Sequence, residues 1–333
     1  MENPTVDVVG IGNAIVDLLA EVDDAAIERH GLPKGGMTLV DAERALVLAA
    51  AVDPTMRRSG GSAANTMVGI ASLGGSSAFL GKVGDDEIGR LFASDLSAAG
   101  VRFGNAAPSA TEATGMCLVL VTPDGERTMA TFLGASARLG PDDVNAAIVS
   151  GARILYLEGY LWDPPPAKEA FRKAARIAHA AGRQVALSLS DRFCVERHRA
   201  DFCRLVADEV DILLGNEDEL LSLYEAPDLE AALARLPGRC AIAAITRGAR
   251  GSVVLAQGQR RVVPAAPVDR VVDTTGAGDL YAAGFLHGLA QGRPPEACGR
   301  LGALAAAEVI GHFGARPEVD LAALALRHDV GAP

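Results

Sequence analysis

The chain has 333 residues, 49% of them hydrophobic and 4% aromatic, with a formal net charge of −11 at pH 7. That length can bury one large core or two ordinary ones, and the composition is that of a compact α/β enzyme rather than a disordered or fibrous chain. An acidic chain is a poor nonspecific binder of nucleic acid or anionic membrane, and no apolar run in the sequence reaches the ~20 residues a membrane helix needs.

Apolar runs rich in β-branched residues alternate with alanine-rich helical stretches. In chain order, Thr5–Ile11 reads as a buried strand, Ser62–Leu73 as a helix, Ser77–Val83 as a strand and Asp86–Ala99 as a helix. Arg153–Leu157, Gln184–Leu189, Val210–Leu214 and Cys240–Thr246 read as further strands. Helices are expected over Pro166–Ala181, after Phe193, over Glu217–Tyr224, and after Gly276 and Pro295. Such alternation builds a doubly wound, mostly parallel sheet with helices on both faces. One region breaks the rhythm. Val101–Phe103, Ala113–Val121 and Arg127–Phe132 look like hairpin strands, with Ile15–Val22 and Met37–Val40 as partners from earlier in the chain. They predict a small β-sheet lid, drawn from about residues 15–22, 36–40 and 101–133 of one domain spanning 1–333, that closes over a substrate.

Met1-Glu2-Asn3-Pro4 lacks the basic and apolar regions of a signal peptide. Cys117, Cys194, Cys203, Cys240 and Cys298 are widely spaced and odd in number, which reads as reduced thiols, and the six histidines show no metal spacing. A cytoplasmic location is expected.

Gly10-Ile11-Gly12-Asn13-Ala14-Ile15 follows the first strand but lacks the third glycine of a dinucleotide fingerprint, which disfavours an oxidoreductase. What remains is Asn13 and Asp17, an amide and a carboxylate suited to a vicinal diol, although turns use the same residues. Gly60-Gly61-Ser62-Ala63-Ala64-Asn65 is a glycine pair entering a helix, where Gly61, Ser62 and Asn65 either bind a polyol or simply cap the helix. Arg127 on the hairpin is a candidate clamp for a phosphoryl group. Asn216 and Glu219 share a helix face past a strand, where Glu219 either holds magnesium through water or is an acidic first turn. Thr246-Arg247-Gly248 is placed to contact a triphosphate. No GxxxxGK[ST] occurs, so a P-loop is excluded.

Asp273-Thr274-Thr275-Gly276-Ala277-Gly278-Asp279 carries the most information. It opens a helix with backbone N–H groups directed forward, as phosphate sites do, and its glycines let the main chain approach an anion. Asp279 fits a base that deprotonates an attacking hydroxyl, or else an ordinary helix-start residue.

In this order and spacing the motifs resemble the ribokinase family, also called the phosphofructokinase-B (PfkB) carbohydrate kinases, over essentially the whole chain. The resemblance implies a Rossmann-like α/β domain with a β-sheet lid, and ATP- and Mg2+-dependent phosphorylation of a hydroxymethyl group on a sugar or nucleoside. It makes Asp279 the catalytic base and Gly276, Ala277 and Gly278 the anion hole. Asn13, Asp17, Gly61, Ser62 and Asn65 then hold the sugar. Arg127, Asn216, Thr246, Arg247, Gly248 and Thr274 fall toward ATP, with Glu219 holding Mg2+ through water. Asp273, Thr275, Val309 and Gly314 fall where some members bind a monovalent cation such as K+. Segments 187–193 and 210–217, with Thr114-Gly115-Met116-Cys117, look closest to the adenosine kinase branch, and Leu133, Tyr160, Leu161 and Trp162 read either as a purine pocket or as core. Adenosine converted to AMP is the expected reaction. A sugar kinase acting on ribose, fructose or a sugar acid stays open, as does a non-catalytic nucleoside binder. The expected partners are ATP and a small-molecule substrate, not nucleic acid or membrane, with monomer and homodimer both open.

Overall fold

A computed structural model describes residues 5–52, 54–104 and 107–330, so the N-terminal tetrapeptide examined for a signal lies outside the described residues. The chain opens with β1 (Val6–Ile11), β2 (Ile15–Glu21), α1 (Asp24–Arg29), β3 (Met37–Leu39), α2 (Ala42–Val52), β4 (Met56–Gly60) and α3 (Ser62–Ser72). It continues through β5 (Ser77–Leu80), α4 (Glu87–Ala98), β6 (Val101–Phe103), β7 (Gly115–Val121), β8 (Arg127–Phe132), α5 (Ala146–Gly151) and β9 (Ala152–Glu158). Next come α6 (Pro165–Ala180), β10 (Gln184–Ser188), α7 (Arg192–Asp208), β11 (Ile212–Asn216), α8 (Glu217–Tyr224), α9 (Leu229–Leu233) and β12 (Ile242–Thr246). The antiparallel pair β13 (Ser252–Ala256) and β14 (Gln259–Val263) precedes α10 (Ala277–Ala290), α11 (Pro295–Val309) and α12 (Leu321–Arg327).

Nine strands form one sheet in the order β14-β13-β12-β11-β10-β9-β1-β5-β6, and five form a second in the order β3-β8-β7-β2-β4. The large sheet is parallel from β6 through β12. Its central strands are mostly apolar because both faces are covered. β1 shows the two-residue period directly. Val8 points into a core beneath α3, α10 and α11 with Met67, Phe79, Phe285 and Leu301, whereas Val9 and Ile11 point into the opposite core with Leu155, Phe171 and Phe202. The architecture is a mixed α/β fold with a large parallel-rich sheet and a second, smaller one.

The small sheet departs from expectation at two strands. Val101–Phe103 is not part of it; β6 pairs in parallel with β5 at the edge of the large sheet. Packing decides this, because Phe103 lies against Phe79 and Phe92 in one aromatic cluster, which the short Val-Arg-Phe run read in isolation does not reveal. The edge position in the small sheet belongs instead to β4, antiparallel to β2. Its sequence, Met-Arg-Arg-Ser-Gly, carries no apolar alternation.

β1 lies between β5 and β9. The chain leaves β1 toward β5 and β6 on one side and later builds β9 to β12 on the other. The carboxyl ends of β1 and β9 therefore flank a topological switch point, the crevice where open α/β sheets bind ligands.

Candidate active site

The first turn of α10 closes one wall of that crevice. Its N-cap is Gly276 at φ 78°, with no side-chain cap. A Cβ there would lie 2.6 Å from the Ala315 backbone, so glycine is required on both counts. A Cβ on Gly278 would meet open space. Ala277 N donates to Thr274 O at 3.2 Å, and the N–H groups of Gly278 and Asp279 face a volume that an anion can enter.

Asp279 stands in this turn. Its Oδ1 accepts from Ser62 Oγ at 2.6 Å and its Oδ2 from Asn65 Nδ2 at 3.1 Å, so α3 and α10 meet through the carboxylate. Burial pushes the Asp279 carboxyl up to about 6, opposed by these two bonds. A carboxylate of that basicity, ionised at neutral pH, can accept a proton from a nearby hydroxyl.

Across the crevice, Asn13 follows β1 and Asp17 lies on β2. Asn13 is 4% exposed, and its backbone N and Nδ2 both donate to Glu158 Oε1, at 3.2 and 2.8 Å. The other Glu158 oxygen accepts from Ala63 N at 2.8 Å, and Ser136 Oγ donates to Asn13 Oδ1 at 3.1 Å. Glu158 thereby ties the end of β1 to the start of α3, and burial raises its carboxyl to about 7. Burial also raises Asp17 to about 6, moderated by Arg316 and Arg127. A side chain at position 60 would collide with the Asp17 carboxylate at 2.4 Å, and one at Gly61, where φ is 94°, with Asn13 O at 2.2 Å. The glycine pair is thus the space in which Asp17 and Asn13 sit.

Arg127, at the start of β8, reaches out of the small sheet to the loop before α10. It pairs with Asp273 at 2.5 Å and donates to Thr275 Oγ1 at 3.1 Å, with its guanidinium over the Phe313 ring. Asp273 also accepts from Thr275 N and Oγ1 and from Gly314 N. The structure therefore brings Asp273, Thr275 and Gly314 together; Val309 ends α11 with its side chain in the core, next to Ile310, whose carbonyl accepts from Val272 N and Asp273 N. Among the described residues no group of three His, Cys, Asp or Glu side chains is placed to hold a metal ion. Thr274 is exposed beside this loop.

Asn216 and Glu219 form a capping box at α8: Asn216 Oδ1 accepts from Glu219 N, while Glu219 accepts from Asn216 N at 2.9 Å and from Nδ2 at 2.6 Å. Burial raises Glu219 to about 7. Thr246 ends the adjacent strand β12, Arg247 lies 3.6 Å from Glu217, and Gly248 is exposed.

The purine pocket read around residues 160–162 does not form as expected. Leu161 and Trp162 are 0% exposed, and Trp162 packs on Phe171 and Phe202 in the core beneath α6 and α7. The Gly159–Trp162 turn is a single 3-10 segment that rolls both side chains inward. Tyr160 stays half-buried, its hydroxyl donating to Ser190 O at 3.2 Å. Leu133 is half-buried at the end of β8, where its carbonyl accepts from Ser136 Oγ.

Two site residues escape the sequence motifs. Glu158 had a signal, an acidic residue closing the otherwise apolar strand Ile154-Leu155-Tyr156-Leu157. Arg316, 8% exposed, reaches Asn65 from beyond α11, two residues past the candidate Gly314.

Comparison with known proteins fits this geometry. The solved structure of adenosine kinase from Sinorhizobium meliloti is 50% identical with a TM-score of 0.89, covering 97% of this chain and 99% of that one. A probable sugar kinase from Rhizobium etli CFN 42 is 46% identical with a TM-score of 0.91, covering 98% and 99%. Fructokinase from Klebsiella pneumoniae is 30% identical over 285 residues, 81% of this chain and 90% of its own. Residues 37–321 match the model of the pfkB family of carbohydrate kinases, and the chain belongs to that family.

Proposed function

We propose that this kinase transfers the γ-phosphoryl group of ATP to the 5′-hydroxyl of a nucleoside, with adenosine as acceptor and AMP and ADP as products. The observation that carries the reading is Asp279, an ionisable base at the uncapped start of α10, held by Ser62 and Asn65 at the switch point. The likeness to the Sinorhizobium meliloti adenosine kinase at 50% identity supports adenosine.

In this reading Asp17, Asn13 and Asn65 hold the ribose, and Gly61 and Ser62 bring the backbone against it. Asp279 takes the 5′-hydroxyl proton as that oxygen bonds to the γ-phosphorus and the bond to the β–γ bridging oxygen breaks. The N–H groups of Gly276, Gly278 and Asp279 face the charge on the transferring group, and that of Ala277 joins them once it leaves Thr274 O. Arg127 shifts from Asp273 toward the phosphates as the small sheet closes as a lid. Thr246, Arg247, Gly248 and Thr274 line the nucleotide's path.

Kinases of this family use ATP with magnesium. Each Glu219 oxygen takes one hydrogen bond from Asn216 and keeps a lone pair for water, which suits a hydrated magnesium ion held mainly by phosphate oxygens. When bound, the ion neutralises phosphate charge.

The test is a coupled ADP-release assay with Mg2+ and K+, offering adenosine, other nucleosides, ribose, fructose and sugar acids, with Asp279→Asn as control. Adenosine-dependent turnover lost in the control is expected. Turnover with a free sugar alone overturns adenosine and favours the second reading, a sugar kinase, which the Klebsiella pneumoniae fructokinase similarity supports. Binding of adenosine without turnover points to a non-catalytic binder.

A further inference from the structure

Arg316 lies beyond α11, more than 30 residues from the Asp273–Asp279 loop in sequence, yet its guanidinium is buried beside the base. Nε donates to Asn65 Oδ1 at 3.3 Å, Nη1 to Asp95 Oδ2 at 2.9 Å, and Nη2 to Ser59 Oγ. Ser59 in turn donates through N and Oγ to the same Asp95 oxygen, at 2.8 and 2.5 Å. Three elements thus converge on this one side chain of the segment after α11: β4 of the small sheet, α3 and α4.

The chemistry of Asn65 makes this arrangement directional. An amide has one oxygen that only accepts and one nitrogen that only donates, and the two ends are nearly identical in shape. Asp279, when ionised, only accepts, so the nitrogen of Asn65 must face it. A guanidinium only donates, so Arg316 accepts the oxygen end and refuses the nitrogen. In the flipped amide, a carbonyl oxygen would face the Asp279 carboxylate and an NH2 would face the guanidinium, with two buried mismatches. Asp95 and Ser59 keep the guanidinium in the one orientation that enforces this.

We propose that Arg316 is a positioning residue for phosphoryl transfer: anchored by Asp95 and Ser59, it locks the Asn65 amide so that its nitrogen holds the Asp279 carboxylate in place. The proposal rests on the reading of Asp279 as the base. It adds that the last loop of the chain and the edge strand of the small sheet are wired to that base through one arginine and one amide.

The experiment is a double-mutant cycle on the full-length protein, measured with adenosine and Mg·ATP, or with fructose should that prove the acceptor. Arg316→Met is expected to lower kcat about 10- to 100-fold, the worth of a hydrogen bond to a charged group, with KM for ATP little changed. Asn65→Ala lowers it also. Because Arg316 acts through Asn65, Arg316→Met in the Asn65→Ala background is expected to cost much less than in the wild type. Asp95→Asn, which loosens the anchor without touching Asn65, gives the same cycle if Arg316→Met does not fold. The acid limb of the kcat profile should also move to higher pH in Arg316→Met, since the Asn65 bond opposes the burial that raises Asp279. Of the other titratable groups facing Asp279, Glu158, Tyr156 and Tyr160 take no influence from Arg316, whereas Asp17 loses a lowering charge in that variant; the shift is therefore also read in Asn65→Ala, which leaves that charge in place. Fully multiplicative losses, or an acid limb that stays put, overturn the proposal. Asp279→Asn separates the two failures. Near-normal turnover in it removes the base itself, whereas an inert Asp279→Asn beside multiplicative losses removes only the role of Arg316.

Discussion

Two helices start just past the carboxyl edge of the large sheet, and they treat their free N–H groups in opposite ways. α8 is sealed: Asn216 and Glu219 satisfy each other across its first turn, and three acidic residues, Glu217, Asp218 and Glu219, complement its dipole. α10 is left open: its N-cap is a glycine without a side chain, and Gly278 faces empty space. An internal cap satisfies a helix for the sake of the fold, whereas an uncapped one leaves its donors for something outside the protein. The lone acid of α10, Asp279, is turned toward Ser62 and Asn65 on α3 instead of capping its own helix. The difference teaches that acidic helix starts alike in sequence serve stability in one place and chemistry in the other.

The strongest way to break this contrast is Asp279→Asn. Turnover should fall by roughly 10²–10⁴-fold, the range of general-base catalysis, with binding kept, as measured by steady-state kinetics and nucleoside titration. The fold should not suffer. Burial raises the folded pKa of Asp279 above its ordinary value, so its contribution to stability is lost as pH rises through about 6. The asparagine variant should therefore melt higher than the wild type at pH 8, by a margin that shrinks at pH 5.

Next in size is pH. Asp279 must be ionised to act, so kcat should be flat at neutral pH and fall about tenfold per unit well below about 6. A profile without an acid limb there contradicts the base assignment.

Gly276→Ala should strain the open start, because the position has positive φ and abuts Ala315. The expected cost is about 1–3 kcal/mol in urea unfolding, together with a raised KM for ATP. Asn216→Ala sharpens the comparison from the other side. Loss of the cap should cost about 0.5–2 kcal/mol in the same experiment, with a smaller fall in turnover than Asp279→Asn. An Asn216→Ala variant as inactive as Asp279→Asn would show that the sealed helix is as chemical as the open one.

Much of this molecule was legible before folding was considered. The parallel strands announce themselves as continuous apolar runs because burial on both faces removes any reason for alternation. Asp273–Asp279 and Gly60–Asn65 are readable because tight turns and close backbone approach admit few residue types. β4 was not legible, since Met56–Gly60 pairs as an edge strand with exposed arginines and needs no apolar pattern. Trp162 misled for a related reason: an aromatic beside a glycine turn suits a pocket and a core equally, and only the 3-10 turn at Gly159–Trp162 sends it inward.

What the sequence by itself determined is therefore local: periods, turns, caps and the chemistry of the loop before α10. Tertiary structure decided which distant groups meet, that Glu158 joins Asn13 to Ala63, that Arg127 reaches Asp273, and that Arg316 reaches Asn65. The physical reason is that a buried polar group needs a partner but does not specify where in the chain that partner lies, and only the packed fold supplies it.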